Sequence, residues 1–526
     1  MAPSRTNSLV SAKRDDKDAT IEECEDPGNK YTRLGISDED ASFYDNFSDE
    51  KRKRLFWKVD VRLVPFLTLL YLAAHIDRAN IGNAKIEGLA EDLHLTGLQY
   101  NIVLSIFFIP YILLEVPSNV LLRKFKRPSA YIALLVLFWG TVMTLTGIVK
   151  NFAGLMVCRI MLGIAEAGFF PGAVYLITQW YVQNQLQTRL AIFFCASALS
   201  GAFSGLLAFA IAKMNGIGGR PGWAWIFLLE GMATVVLDKS FSSPFCNALL
   251  TIFDRYTPQL SGKWLDADEI RYLTIQTDIR EGGKYREATE KFRWADVWAL
   301  VSDYKVYLQM WILFATTTCS YGIKFTMPSV TKSMGFTSSQ AQLLTIPPYI
   351  AGAVSAVVFG KMSDRFMWRL PFIVIPLVLI EVGFSTILPL APTISKHVAP
   401  CYVGVVLICM GIYPTNPAGS AWISGNLAGP SKKAMGIALN ICLGNLGGIV
   451  GSYIFLDAEA PGYPTGFGTG LAVVASAVFS SLFLEYSYWR LNKKREAMDR
   501  ATIMSTYTEE ELSRMGDASP LFKYTL

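Results

Sequence analysis

Windows of roughly 20 apolar residues, long enough to cross a bilayer core as a helix, recur along most of this 526-residue chain. They fall near 61–82, 100–121, 130–149, 153–180, 190–213, 222–237 (short), 304–326, 340–360, 370–391, 399–424, 434–456 and 467–489, about twelve spans. The runs are uniformly apolar rather than amphipathic, and they lack the short alternating strands of a barrel. A hydrophobic fraction of 52%, charged residues at only 17% and a mean hydropathy of +0.32 agree. The expected fold class is an all-α polytopic membrane protein with about 12 transmembrane helices in two six-helix bundles. The lipid bilayer is then its first partner, and the net charge of +5 concerns orientation rather than nucleic acid.

The polar stretch 255–303 separates six spans from six. The expected organisation is a disordered cytoplasmic tail over 1–56, a six-helix bundle over 57–254, a cytoplasmic linker over 255–303, a second bundle over 304–490 and a cytoplasmic tail over 491–526. Transporters are often built from such repeats, with the substrate site near the midplane between them. Lys and Arg in short loops set orientation. Lys51 to Arg54, Arg123 to Arg127, Lys361 to Arg369, Lys432 and Lys433, and Lys493 to Arg495 lie on one side. Both termini are therefore expected in the cytoplasm. The first 50 residues carry many acids and no apolar core of a signal peptide,. Cys158, Cys195, Cys319, Cys409 and Cys442 sit in apolar spans without metal-like spacing and read as free thiols,. With only His75, His94 and His397 present, neither a metal site nor a nucleophile with its base can be assembled,. No cofactor and no enzymatic activity are expected.

Charges inside spans need a reason, because each costs about 2.5–3.5 kcal/mol at a helix centre unless paired or wet. Asp77 and Arg78 close the first span, Glu115 lies in the second, Arg159 and Glu166 in the fourth, Glu230 in the sixth and Lys324 in the seventh. Arg159 and Glu166 are seven residues apart, two turns on one face, so both are expected to look into one cavity. Asp77 and Arg78 are adjacent and must point about 100° apart. Structural ion pairing is the alternative reading for any one of them. In the second half, Gln309, Lys324, Tyr413, Asn416 and Asn445 are polar candidates for the same site, with Lys324 near the outer end of its span. Pro414 and Pro417 are expected to break the tenth span, and glycines 444, 447, 448 and 451 read as a packing stripe.

These residues also carry a resemblance. Asp77-Arg78-Ala79-Asn80-Ile81-Gly82-Asn83-Ala84, EVPSN (115–119), RIMLGIAEAGFFPG (159–172), GWAWIFLLEG (222–231) and GKMSDR (360–365) resemble the major facilitator superfamily. Together they resemble its anion:cation symporter family, in the fungal branch of allantoate, pantothenate and nicotinate permeases. The resemblance implies that Asp77 and Glu166 are proton-linked carboxylates and that Arg78 is the partner of a substrate carboxylate. It further implies Arg159 as a partner of Glu166 or a second anion contact, with Asn80 beside them. A guanidinium fork suits bidentate carboxylate recognition. Gly360 is expected to make a tight turn after the eighth span, with Asp364 and Arg365 as gating charges. The branch also implies a plasma-membrane protein acting on a small organic anion and a proton; a monomer is expected.

One segment departs from the pattern. Asp238 and Lys239 shorten the sixth span, and NALLTIF follows in an unexpected place, so residues 238–255 read as unspliced intron or a wrong gene model. The leading function is proton-coupled import of a carboxylate, nicotinate-like as the first expectation. Export of a secondary metabolite and a non-transporting nutrient sensor are the competing readings.

Overall fold

The structure, a computed structural model, describes residue 31, residues 36–124, 128–181, 183–242, 265–281, 294–366, 368–428 and 430–498, then 503, 505–508, 512 and 515–526. Among them twelve long helical elements follow in order: α1 (Asp49–Ile86), α2 (Gly97–Ile106 continued by Phe108–Lys124), α3 (Pro128–Thr146), α4 (Phe152–Glu166 then Phe169–Trp180), α5 (Gln183–Ala212), α6 (Gly222–Ser242), α7 (Tyr304–Ser333), α8 (Ser338–Leu344 then Ile346–Phe366), α9 (Pro371–Leu390), α10 (Val398–Asn426), α11 (Pro430–Gly451) and α12 (Pro464–Glu496). Eight are long and apolar enough to cross a membrane, and α3, α6 and α11 contribute shorter apolar helices. α7 has the length, at 30 residues, but carries Gln309, Thr316 to Thr318 and Lys324 on buried positions. Large side chains such as Leu113 (67% exposed) and Phe479 (72%) stand on the outer surface, which only a hydrocarbon environment favours,.

The two six-helix bundles repeat each other locally. α2 begins with a capping box, Thr96 with Gln99, and α8 begins with the same device, Thr337 with Gln340. In each box the hydroxyl accepts the third backbone N–H while the amide side chain accepts the cap's own, so two otherwise orphaned donors are satisfied. The contacts between bundles repeat as well: α5 crosses α8 and α2 crosses α11. Both crossings use glycine, because a Cβ on Gly205 would stand 2.6 Å from the Gln342 carbonyl, and one on Gly448 would enter the Phe108 ring. The other glycines of the α11 stripe serve its own bundle, Gly444 and Gly451 lying against Leu313 and the Thr318 carbonyl of α7.

Three expectations about helix ends are corrected. Pro414 and Pro417 sit inside a continuous α10. The carbonyl that Pro414 cannot satisfy, that of Met410, accepts instead from Ser355 Oγ of α8 at 2.6 Å, so the helix survives its missing donor,. Gly360 makes no turn: α8 continues through it to Phe366, and α9 starts at Pro371 behind Leu370 without a side-chain cap. A single exposed glycine costs a helix only about 1 kcal/mol, too little to end it. The backbone of α6 likewise runs past Asp238 and Lys239 to Ser242. The rest of the anomalous segment, 243–255, lies outside the described residues.

Residues assigned to tail and linker also acquire structure. The chain divides into two compact units, Met1–Lys53 with Asp266–Lys291, and Arg54–Leu265 with Phe292–Leu526. In the first, a helix over Asp38–Asp45, capped by Ser37, pairs with a helix over Ala267–Glu281. Tyr272 stacks on Tyr44 and Phe47, and Arg271 donates to Asp40 at 2.8 Å and to Glu39 at 2.9 Å. The Arg271 hydrogen bond holds the Asp40 carboxyl below its ordinary value. Residues 38–45 are therefore helical rather than a disordered tail, with Tyr272 as the stacking partner of Tyr44. In the second unit the segment 515–526 folds back on the second bundle. Tyr524 and Asn492 exchange hydrogen bonds, Thr525 pairs with Asn426, and Lys432 with Asp517.

Where α9 meets α10, a Cβ on Gly383 would lie 2.6 Å from the Gly404 carbonyl. Gly383→Leu should lower the thermal midpoint of the purified protein, since overpacking a tight contact costs about 1–3 kcal/mol or more. Gly468→Leu, at a site with nothing within 4 Å, is the control and should leave the midpoint near wild type. Equal midpoints for both variants would show that the α9–α10 contact is loose.

Candidate functional site

Arg78 lies where the two bundles meet. It is 8% exposed, and its Nε donates to Glu166 Oε2 on α4 at 2.6 Å. Its Nη1 donates to the Tyr321 hydroxyl of α7, in the other bundle, at 3.0 Å. The guanidinium also lies against the rings of Tyr111 (4.7 Å) and Phe107 (5.1 Å), which shield it from water. Tyr321 accepts from Arg78, so its own O–H proton remains available to a third group. One turn before Arg78, His75 Nδ1 stands 3.2 Å from Lys324 Nζ of α7. α1 and α7 thus face each other through two polar rungs, His75–Lys324 and Arg78–Tyr321. Close by, a Cβ on Gly82 would stand 2.6 Å from the Phe325 carbonyl. Lys324 is therefore not an outer-end side chain reaching for water; it is 5% exposed.

Asp77 turns the other way, into its own bundle, and accepts from Trp139 Nε1 of α3 at 2.6 Å. Asn80 is also internal, its Oδ1 accepting from Ser204 Oγ of α5 at 3.1 Å. Arg159 does not pair with Glu166. Seven residues of helix place the two about 10 Å apart along the axis, beyond ion-pair reach. Arg159 lies over Phe227 of α6, with Nε and Nη2 making no hydrogen bond. The break in α4 at Ala167 and Gly168 follows directly on Glu166.

The second-bundle candidates separate. Asn416 accepts from Thr316 Oγ1 at 3.1 Å, Tyr413 packs edge-on to Tyr349, and Gln309 is buried beside Tyr488. All three are internal to their bundle. Asn445 lies beside Glu115 of α2, which also accepts from Cys442 Sγ at 3.9 Å, a further junction between bundles. Of the proposed gating residues, Gly360 and Arg365 are exposed, and the side chain of Asp364 lies outside the described residues. His75, Tyr321 and Trp139 were not singled out from sequence. His75 and Tyr321 each stand three residues from a charge already identified, on the same helical face, and that spacing is the signal that would have found them.

At the end of the bundles away from residues 515–526, the halves are joined again. Lys85 pairs with Asp457 and lies 4.2 Å over Tyr100, Gln342 Nε2 donates to Glu87 at 3.0 Å, and Ser105 donates to the Tyr453 hydroxyl at 3.0 Å. Such peripheral contacts, beside a buried charged centre, are what a protein needs if its two halves open and close around a bound solute.

Two helical bundles joined over a buried, charged centre define a multi-pass membrane transporter, and comparison with known proteins places the chain. Residues 67–452 match the profile of the Major Facilitator Superfamily, and the chain belongs to that family. It is 36% identical to the MFS-type transporter cnsO of Penicillium expansum, over 91% of this chain and 92% of that one. It is 30% identical to the high-affinity nicotinic acid transporter of Saccharomyces cerevisiae, over 91% and 85% respectively. A bacterial homologue of the human lysosomal transporter Spinster shares the fold, with a TM-score of 0.58 at 16% identity over 80% of this chain and 95% of that one.

Proposed function

We propose that the chain is a proton-coupled importer of a small organic anion, working by alternating access of its two bundles. The observation that carries this reading is Arg78, a buried guanidinium held by a carboxylate of its own bundle and a phenol of the other. A substrate carboxylate competes with Glu166 for the guanidinium fork. Glu166, displaced into a dry site, is stable only with a proton, so anion and proton bind together. Tyr321 and Lys324 then report occupancy to the second bundle, whose contacts with Lys85, Glu87 and Ser105 must break for the site to open on that side. Asp77, held by Trp139, is the second proton-linked carboxyl. The aromatic faces around Arg78, the resemblance to nicotinate permeases and the similarity to a nicotinic acid transporter favour an aromatic carboxylate, nicotinate-like as the first expectation. Both termini face the cytoplasm, and the plasma membrane is the site of action.

The test is uptake of labelled nicotinate, pantothenate, allantoate, biotin and small dicarboxylates by cells lacking their own permeases, at acidic and neutral pH. Accumulation of one anion that is faster in acid and collapses with a protonophore is the expected result. Absence of uptake by protein shown to reach the membrane would overturn import, and active extrusion of a preloaded anion would reverse the direction.

A further inference from the structure

We propose that His75 and Lys324 form a second anchor, one that selects a ligand with a hydrogen-bond acceptor in addition to the carboxylate taken by Arg78. The inference rests on the reading of this site as one for a small organic anion. A lysine ammonium only donates, so the His75 Nδ1 at 3.2 Å must accept, which places the imidazole proton on Nε2,. That Nε2 is buried and has no hydrogen-bond partner. Lys324 has no carboxylate within ion-pair distance among the described residues, and its one described hydrogen bond is to His75. The rung therefore presents unmet donors from both bundles, the His75 N–H and further N–H groups of Lys324, in a place closed to water. Unpaired buried donors cost about 1–3 kcal/mol each, more when charged. A packed, fully apolar rung would avoid that cost, so the arrangement makes sense if an acceptor arrives with the ligand.

The geometry narrows the ligand. His75 and Arg78 are one turn apart on α1, as are Tyr321 and Lys324 on α7, so the two rungs are neighbours at about 5–6 Å between Cβ atoms. One ring bridges that separation. Tyr71 stands edge-on to His75 at 4.5 Å, and Tyr321 stacks with Phe325 at 5.6 Å, so aromatic side chains pack beside both rungs. The ligand class is an aromatic acid bearing a ring nitrogen or a second carboxylate away from the first. An aromatic acid without that second acceptor would leave the His75 and Lys324 donors unmet and bind weakly.

The test uses cells expressing the full chain, with uptake above vector-only cells measured for three labelled compounds: benzoate, pyridine-3-carboxylate and benzene-1,3-dicarboxylate. At least one of the two compounds with a second acceptor should enter about tenfold faster than benzoate or more, as expected when a buried donor is left unpaired by the poorer ligand. In Lys324→Met the ratio should fall to about one, and Lys324→Arg, which keeps a donor and a charge, should retain a preference. Equal entry of all three compounds into wild type would overturn the second anchor while leaving anion import intact. So would an unchanged ratio in Lys324→Met. If Lys324→Met fails to reach the membrane, the wild-type ratio together with Lys324→Arg decides. No entry of any of the three, with protein at the membrane, would overturn the aromatic-acid reading and the anchor with it.

Discussion

Arg78→Ala should reduce anion uptake by about 100-fold or more in protein that still reaches the membrane. Truncating one partner of a buried, charge-assisted pair costs about 2–5 kcal/mol, and each 1.4 kcal/mol is tenfold in affinity. Among the partners of Arg78 are Glu166 at 2.6 Å and Tyr321 at 3.0 Å, on opposite bundles. Its loss removes the carboxylate anchor and the link between the bundles at one stroke. Arg78→Lys should recover little, because an ammonium cannot reproduce the planar fork. The stranded Glu166 carboxylate is a second consequence, since an uncompensated buried charge destabilises by about 3–5 kcal/mol. The double variant Arg78→Ala with Glu166→Gln should therefore be more thermostable than Arg78→Ala alone and still fail to take up the anion. Normal uptake by Arg78→Ala would remove this residue from the site.

Glu166→Gln should separate transport from its driving force. Glutamine keeps the shape and offers Arg78 a carbonyl oxygen, but it neither competes as an anion nor carries a proton. The variant should exchange internal for external anion at a rate within about tenfold of wild type, a loss of up to 1.4 kcal/mol. It should fail to accumulate the anion against a gradient. Wild-type uptake should rise as external pH falls, because proton and anion occupy the site together; in the variant that dependence should flatten. Full acid-driven, protonophore-sensitive accumulation by Glu166→Gln would shift the coupling to another carboxyl, and Asp77 would be the next to test.

The spans themselves are legible in the sequence because hydropathy is a local sum: a window of apolar residues needs no knowledge of its neighbours to prefer hydrocarbon. The repeated boxes Thr96-x-x-Gln99 and Thr337-x-x-Gln340 are equally local, and they announce the relation between the bundles to anyone who looks for the same short signature twice. Pro414 shows the opposite case. Proline predicts a broken helix, yet α10 is continuous, and a donor brought from α8, Ser355 Oγ, takes up the carbonyl that Pro414 leaves open. Asp38 to Asp45 reads as a charged tail until Tyr272, more than two hundred residues away in the chain, supplies a stacking surface.

The buried charges divide along the same line. Their presence on α1, α4 and α7 is a property of the sequence, since each stands out against an apolar span and demands compensation. Who compensates whom is not. Seven residues put Arg159 and Glu166 on one face, yet about 10 Å of helix rise keeps them from pairing, and the crossing of α1 with α4 and α7 gives Glu166 to Arg78 and His75 to Lys324 instead. The amino-acid sequence by itself determined the class, the number of spans and the residues that would carry charge into the membrane. The tertiary structure alone decided the pairings, because an ion pair needs a distance of a few ångströms, and that distance is set by where two helices cross.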